Sequence, residues 1–262
     1  MADWYIDYNK TGNYLSVEFP LIHKCDKLET LISIIKTGFR FSYSKEDISD
    51  SSRTISAYFP MISFSDLSYD KAIVFLGTYG VFGIGMTKEW AQKNRLTPVL
   101  YFEKYSNIAK TLIENFDILS NVSYQDTISS LNNTLIGERH KFYKFIIEIA
   151  SYSKNFYAPL FRKGNLIEPE YSFGMEREWR VVLEHENISR YITKNLYNKN
   201  EIENAPEHFL KFNFSDIEYF LIEEEYQKIK IKEELINKFK VTEQHLEKIK
   251  FYYNNSRVCY ED

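Results

Sequence analysis

One stretch, residues 172–184, strongly limits how this chain can fold, because it carries charges through a segment that otherwise looks like a buried strand. It reads SFGMEREWRVVLE. If residues 173–184 form a strand, their side chains alternate between two faces. One face is mostly apolar, and the other carries Glu176, Glu178 and Arg180. At roughly 3.3 Å per residue, the two carboxylates lie about 7 Å apart.

This charged face has two interpretations. In the structural one, the segment is an edge strand that faces water, and Arg180 simply neutralises Glu178. In the functional one, neighbouring carboxylates differ in proton affinity, because like charges raise one of the two pKa values. One carboxylate then stays ionised and stabilises a developing cation, while the other orients a nucleophile. Such a pair suits cleavage of a glycosidic bond through an oxocarbenium-like transition state.

The overall charge limits the class of partner. The chain has 262 residues and a formal net charge of −4, and its C-terminal lysines alternate with glutamates. Strong non-specific nucleic-acid binding needs many phosphate contacts and is not expected, although a specific nucleic-acid target stays open. The first residues, MADWYIDYNK, do not resemble a signal peptide, and two cysteines give no disulfide framework. We expect a cytoplasmic protein with no membrane association.

Predicted strands and helices alternate along the chain, with no Pro-, Gly- or Ser-rich linker between them. This pattern predicts one α+β domain over residues 1–262, with a mixed, mostly antiparallel sheet. The helical periodicity of the middle of the chain predicts an insertion at about 104–160. Two further segments, 45–54 and 154–171, are predicted to be loops. Helix N-caps are expected at Asp26, paired with Glu29, and at Thr87.

Three more polar residues are site candidates. His23 ends a predicted first strand directly before a helix, where a structural histidine is the simpler interpretation and contact with a ribose hydroxyl the functional one. Ser63 and Ser65 lie two apart on one face of a strand end, where they either form a turn or hold a nucleotide. The histidines show no metal-ligand spacing, so no metal site is predicted.

Three motifs carry a resemblance to a known family. FPMISFSDLSYDKA, YGVFGIGMTKEWAQKNRLTPVLYFE and FGMEREWRVV together resemble the AbiGi family of bacterial abortive-infection proteins, over about residues 20–225. That family is one component of a phage-resistance system and is often labelled its antitoxin side. The resemblance implies a role in phage defence and supplies no catalytic mechanism.

A fainter resemblance concerns the order of the candidate residues. His23, then Ser63 and Ser65, then Glu176 and Glu178 follow one another as the polar residues do in ADP-ribosyltransferases of the toxin type. The segment HKCDKLETLISIIKTG is also similar to the opening of DarT-like and PARP-like transferases. This resemblance implies the ADP-ribosyltransferase fold and NAD as the cofactor.

The same resemblance assigns roles to the candidates. His23 would contact the NAD ribose, and Ser63 and Ser65 would position the nicotinamide side. Glu178 would stabilise the oxocarbenium ion, and Glu176 would activate the acceptor. Arg180 would hold the pyrophosphate or a neighbouring carboxylate.

The chain also departs from the transferase pattern. The gap between the serines and Glu178 requires residues 104–160 to be an insertion, and Glu103 is a nearer, rival carboxylate. Two functions therefore stay open. One is an NAD-using ADP-ribosyltransferase or NAD glycohydrolase. The other is a non-catalytic antitoxin or sensor that binds a cognate toxin or a phage protein.

Overall fold

A computed structural model describes residues 19–74, 79–121, 133–162, 164–184 and 208–254. The predicted beginning of the first strand, at residues 15–18, lies outside these ranges. None of the described helices combines the length and the apolar character that a membrane crossing requires.

The secondary structure alternates between strands and helices, as the sequence predicts. The strands are β1 (Leu21–Cys25), β2 (Phe39–Arg40), β3 (Ser42–Ser49), β4 (Thr54–Asp66), β5 (Phe82–Met86), β6 (Thr97–Pro98), β7 (Leu100–Phe102), β8 (Ser153–Asn155), β9 (Tyr157–Arg162), β10 (Asn165–Ser172), β11 (Glu178–Val182), β12 (Phe209–Leu210), β13 (Ile217–Ile222) and β14 (Lys250–Tyr253). The α-helices are α1 (Leu28–Thr37), α2 (Tyr69–Val74), α3 (Lys88–Lys93), α4 (Asn107–Asn121), α5 (Asn133–Ser151), α6 (Glu225–Phe239) and α7 (Glu243–Leu246).

The main sheet has eight strands. Seven follow the order β14-β13-β5-β1-β4-β11-β6, and β3 pairs with the long strand β4. Among the described strands of this sheet, only β13 and β14 pair in parallel. The expectation of a mixed, mostly antiparallel sheet combined with helices is therefore confirmed.

Both faces of β4 are covered, because its alternate side chains enter two different cores. Ile62 and Phe64 pack in the larger core with residues of α1, α3 and α6. Phe59 and Met61, on the opposite face of the strand, pack with residues of α4 and α5. Period-two alternation along the strand thus separates the two layers of helices.

The sheet splits between β1 and β4. The two strands pair only at Leu21 with Asp66 and at Ile22 with Ser65. Beyond this point β1 stays paired with β5 through Cys25, whereas β4 continues beside β11 and β3. The separation of the two strands opens a gap inside the sheet.

The predicted insertion contains the second layer of helices. Helices α4 and α5 lie between β7 and β8, which pair in parallel. From Ser153 onward the chain is extended, and β9 and β10 form a two-stranded antiparallel sheet. The loop predicted at 154–171 is therefore wrong. Its polar and exposed residues lack the apolar alternation that marks a strand with one buried face.

The second predicted loop, 45–54, is also wrong in its first half. Residues 45–49 belong to β3, which pairs with β4 along its full length. The expected cap at Asp26 is wrong too, because α1 begins at Leu28 after Lys27, which makes no side-chain capping bond. The cap at Thr87 is confirmed, since its Oγ1 accepts a hydrogen bond from the Trp90 N–H at 3.1 Å.

Candidate functional site

A cavity of about 810 Å³ lies where β1 and β4 separate. Its wall includes five of the six predicted site residues, namely His23, Ser63, Ser65, Glu176 and Glu178. These residues come from β1, β4, β11 and the turn before β11, so the fold brings together positions that are far apart in the sequence. A volume of this size is typical of small-molecule sites.

The segment before β11 differs from its prediction. Residues Phe173–Glu176 form a turn of 3-10 helix, and the strand begins only at Glu178. Arg177, between them, has a φ of 46°, in the left-handed region that non-glycine residues seldom adopt. The prediction of one strand over 173–184 is therefore wrong. Glu176 does not share a strand face with Glu178.

The interpretation of an edge strand that faces water is also wrong. β11 lies between β4 and β6. Glu178 is 5% exposed and Arg180 is 0% exposed. A charged pair this deep requires partners for each of its polar atoms.

Both carboxylate oxygens of Glu178 accept hydrogen bonds. The Ser63 hydroxyl donates to Oε1 at 2.6 Å, and Arg180 Nε donates to the same oxygen at 3.0 Å. Lys154 Nζ donates to Oε2 at 3.1 Å. Burial alone would raise the pKa of Glu178, but the charges of Arg180 and Lys154 outweigh it and hold that pKa well below its usual range. The two neighbouring cations therefore favour the ionised form of Glu178.

Glu46 of β3 completes a buried group of four charged side chains. We call Glu46, Lys154, Glu178 and Arg180 the ion cluster. Arg180 Nη2 lies 3.3 Å from Glu46 Oε1, and Lys154 Nζ lies 4.0 Å from the same oxygen. Burial favours the neutral form of Lys154, yet the carboxylates of Glu178 and Glu46 raise its pKa above the usual value. Two cations and two anions thus balance in the interior.

Arg180 lies below the cavity rather than on its wall. Its Nη1 donates to the Ser151 carbonyl oxygen at 2.9 Å, and its other donors go to Glu178 and Glu46. Of the two roles expected for Arg180, this geometry matches contact with a neighbouring carboxylate, because the guanidinium is buried away from a ligand.

Glu176 has a different environment. The Tyr79 hydroxyl donates to its Oε1. Burial raises the pKa of Glu176 above its ordinary value, and the charge of Lys154 and the Tyr79 hydrogen bond only partly oppose this. Glu176 and Glu178 are thus two cavity carboxyl groups whose pKa values are shifted in opposite directions.

His23 bridges the gap between the separated strands. Its Nδ1 lies 2.8 Å from the Ser63 carbonyl oxygen, which can only accept, so the proton sits on Nδ1. Burial lowers the pKa of His23 and favours the neutral ring. The ring also packs edge-on against Phe39 and close to Phe64. Nε2 of the neutral ring is left as a hydrogen-bond acceptor.

Contacts of Asp66 hold the strained turn before β11 in place. Asp66 at the end of β4 accepts from Arg177 Nη2 at 3.1 Å and pairs with Lys88 Nζ at 3.0 Å. Its backbone N–H donates to the Arg177 carbonyl oxygen at 3.0 Å. Ser65, the residue before it, lies opposite Glu178 in the strand register.

The rival carboxylate Glu103 is exposed after β7 and does not line the cavity.

Comparison with known proteins gives one match. The model of the AbiGi family, described as an abortive phage resistance protein and antitoxin, matches residues 37–223. The chain belongs to the AbiGi family. No curated protein and no solved structure matches it. The predicted family is confirmed, and the resemblance to ADP-ribosyltransferases stays a prediction.

The AbiGi match includes most of the site. It contains Ser63 and Ser65, the turn with Glu176, and the whole ion cluster, while His23 lies before its first matched residue. The carboxylates and their cations are thus features of the matched AbiGi region.

Sequence reasoning missed four residues of the site. Glu46 and Lys154 fell in segments predicted as loops, so they were not considered for a buried site. Tyr79 and Lys24, which also line the cavity, lie in segments quoted for the two resemblances, but neither was singled out as a site residue. One signal was available for Lys154: a buried Glu-Arg pair inside a sheet requires further polar partners from elsewhere in the chain.

Proposed function

We propose that this AbiGi protein acts in abortive infection as an NAD-using enzyme, which cleaves the bond between ribose and nicotinamide and passes ADP-ribose to a target or to water. One observation supports this above all. His23, Ser63, Ser65 and Glu178 come from three neighbouring strands, β1, β4 and β11, and border one cavity at the point where the sheet splits.

The ionised Glu178 carries the electrostatic part of the proposal. When the C1′–N bond breaks, its electron pair leaves with nicotinamide, and positive charge develops on the ribose. A fixed carboxylate beside that carbon stabilises the charge as it forms. Arg180 and Lys154 already share the negative charge of Glu178, so bound ribose must replace one of its contacts. The Ser63 hydroxyl, which can rotate, is the donor best placed to yield.

The raised pKa of Glu176 suits the second half of the reaction. The acceptor oxygen must lose a proton as it bonds to C1′, and a carboxyl group with a pKa closer to neutrality is a more effective base than an ordinary one. Glu176 would take that proton, while Tyr79 orients its carboxyl group. The neutral His23 would accept a hydrogen bond from a ribose hydroxyl through Nε2.

A second candidate function is a non-catalytic antitoxin or sensor that binds a toxin or a phage product. The description of the matched family as an antitoxin favours it. The closed bonding of Glu178 fits it as well, because a fully paired carboxylate can serve the fold alone. In this case the ion cluster organises the sheet, and the cavity holds a regulatory ligand or none.

The deciding experiment incubates purified protein with NAD and measures released nicotinamide. The enzyme proposal expects release by the wild type and a loss of about 100-fold or more in Glu178→Gln, the scale seen when one transition-state contact is removed. Glu168→Gln, an exposed substitution on β10, is the matched control. Thermal unfolding of each variant separates lost chemistry from lost structure.

The same variants then go into cells challenged with phage. If NAD stays intact with folded wild-type protein, including in infected cells, the enzyme proposal is wrong. Protection that survives Glu178→Gln and requires a partner protein favours the antitoxin function instead.

A further inference from the structure

Two cationic side chains lie against the ring of one cavity residue, Tyr79. Lys24 Nζ of β1 is 5.5 Å from the ring centroid, and Arg162 Cζ of β9 is 5.3 Å from it. Lys24 and Tyr79 line the cavity. The Tyr79 hydroxyl bonds Glu176, so Lys24 and Tyr79 lie at the Glu176 end of the cavity. Arg162 contacts the same ring but is not one of the residues that line the cavity.

Two acids of the described residues interact with these cations. Arg162 Nη1 lies 3.6 Å from Asp26 Oδ1, but the Asp26 side chain is 51% exposed, and water screens such a pair. Glu176 is the other acid nearby, and burial favours its neutral form by raising its pKa. Burial and the charge of Arg162 together lower the pKa of Lys24 to about 8, against the attraction of Glu176. An anion that contacts both cations would offset their repulsion.

We propose that Lys24, Arg162 and Tyr79 form a binding site for the diphosphate of a nucleotide held in the cavity. A diphosphate diester carries two negative charges, which matches one ammonium and one guanidinium, and charge-assisted bonds to phosphate oxygens are among the strong ones. The inference rests on the proposed function in so far as that nucleotide is NAD.

The shape of the cavity favours a nucleotide over a free phosphate. Its volume far exceeds that of an inorganic anion, and its wall continues past the strands to hydroxyl groups of α1 and β3, among them Ser33, Thr37 and Ser42. Hydroxyl groups of this kind suit the sugar of a nucleoside. Arg180 cannot fill the phosphate-binding role, because its guanidinium is buried and bonded to the protein.

The test measures the binding of two probes, ADP-ribose and inorganic pyrophosphate, by calorimetry. Lys24→Gln and Arg162→Gln should each weaken the binding of both probes by about tenfold, the effect of losing one charge-assisted contact. Lys45→Gln is the matched control, because Lys45 is exposed on β3, pairs with Asp47 and does not line the cavity. It should bind like the wild type.

Two outcomes would overturn the inference. If Lys24→Gln and Arg162→Gln bind both probes as Lys45→Gln does, these residues form no anion site. If pyrophosphate depends on the two cations and ADP-ribose does not bind, the site takes a free anion rather than a nucleotide.

The affinity for ADP-ribose as a function of pH is a second measurement. A purely structural role of Lys24 would not change it. The diphosphate of ADP-ribose does not titrate between pH 7 and 9.5, so wild-type affinity should fall as the pH rises past about 8 and Lys24 loses its proton. Lys24→Arg keeps its charge and should stay flat over this range. Tyr79, Glu176 and Arg162 face Lys24 in both proteins, so the difference between the two curves reports Lys24.

Failure of this site and failure of the proposed function look different. Binding of ADP-ribose that depends on Lys24 and Arg162, without nicotinamide release from NAD, supports the site and rejects the enzyme. If nicotinamide release requires Glu178 but is unchanged in Lys24→Gln and Arg162→Gln, the result supports the enzyme and rejects the site.

Discussion

The start of β11 and the turn just before it carry one glutamate each, two residues apart, yet they create opposite environments. Glu178 lies in the ion cluster, with two cations at hydrogen-bonding distance. Its pKa is therefore lowered. Glu176 meets a tyrosine instead, and its pKa rises. Both side chains are 5% exposed. Burial alone therefore does not set the direction of a carboxyl group's pKa shift. The charged or neutral side chains buried next to it do.

The left-handed residue between the two glutamates makes this difference possible. A continuous strand would direct both side chains to one face. With Phe173–Glu176 in a 3-10 turn and Arg177 at a φ of 46°, the chain is not extended before β11 begins, and the Glu176 carboxyl group bonds Tyr79. A strained residue thus separates two carboxyl groups whose pKa values shift in opposite directions.

The largest expected effect comes from removing the central cation on the Glu178 side. Arg180→Met leaves Glu178 and Glu46 buried with only Lys154 to balance them. The free energy of unfolding should fall by about 3–5 kcal/mol, as when one partner of a buried ion pair is lost. Denaturant titration measures it. Arg177→Gln, whose side chain is 53% exposed, should cost about 1 kcal/mol or less. Equal losses in the two variants would contradict the importance given to the ion cluster.

A smaller effect is expected for the second cation. Lys154→Met should lower the free energy of unfolding by about 1–3 kcal/mol at pH 7, because Glu178 keeps Arg180 but loses one charged donor. The exposed Lys45→Met is the control.

This loss should depend on pH in a defined direction. Because the pKa of Glu178 is lowered on folding, its stabilisation is present above pH 4.5 and is lost as the pH falls below that value. The gap between wild type and Lys154→Met should therefore narrow in acid. A gap that stays constant from pH 7 to pH 3 would mean that Lys154 acts by packing alone.

The smallest effect belongs to the Glu176 side, and its sign is opposite. A carboxyl group whose pKa is raised on folding favours the folded state below pH 4.5 and loses that advantage as the pH rises. Glu176→Gln should therefore gain stability relative to wild type between pH 4.5 and neutrality. Thermal unfolding across this range measures it, with the exposed Glu168→Gln as control. If wild type instead gains on the variant as the pH rises, Glu176 is held as a carboxylate like Glu178.

Much of the fold follows from the sequence, and the reasons are local. The helix predicted after His23 is α1, the N-cap predicted at Thr87 begins α3, and the predicted strand end with Ser63 and Ser65 is part of β4. β3 was missed although it forms a hairpin with the next strand, with Ser49 opposite Thr54, because most of its residues are polar and give no apolar alternation. Its polar residues lie against the long strand β4, and no pattern within 45–54 reveals that pairing. Strands β9 and β10 were missed for the same reason, since their exposed residues have no buried face to alternate with.

The candidate residues of the site were more accessible to sequence reasoning than their geometry. The order of His23, the two serines and Glu178 predicts a shared pocket, and the structure places all of them around one cavity. The same reasoning set Glu176 on a strand that does not exist there. A single left-handed residue such as Arg177 leaves no signature in composition or periodicity. The orientation of Glu176, just before it, therefore could not be predicted.

The ion cluster has a consequence for the time at which the molecule becomes complete during synthesis. Glu46 emerges from the ribosome early, and its cations follow only after the helices of the middle segment, with Arg180 last of the four. A nascent chain that stops short of β11 has neither the cavity floor nor Glu178. Whatever this cavity does, for or against the host cell, it begins only once translation has passed residue 180.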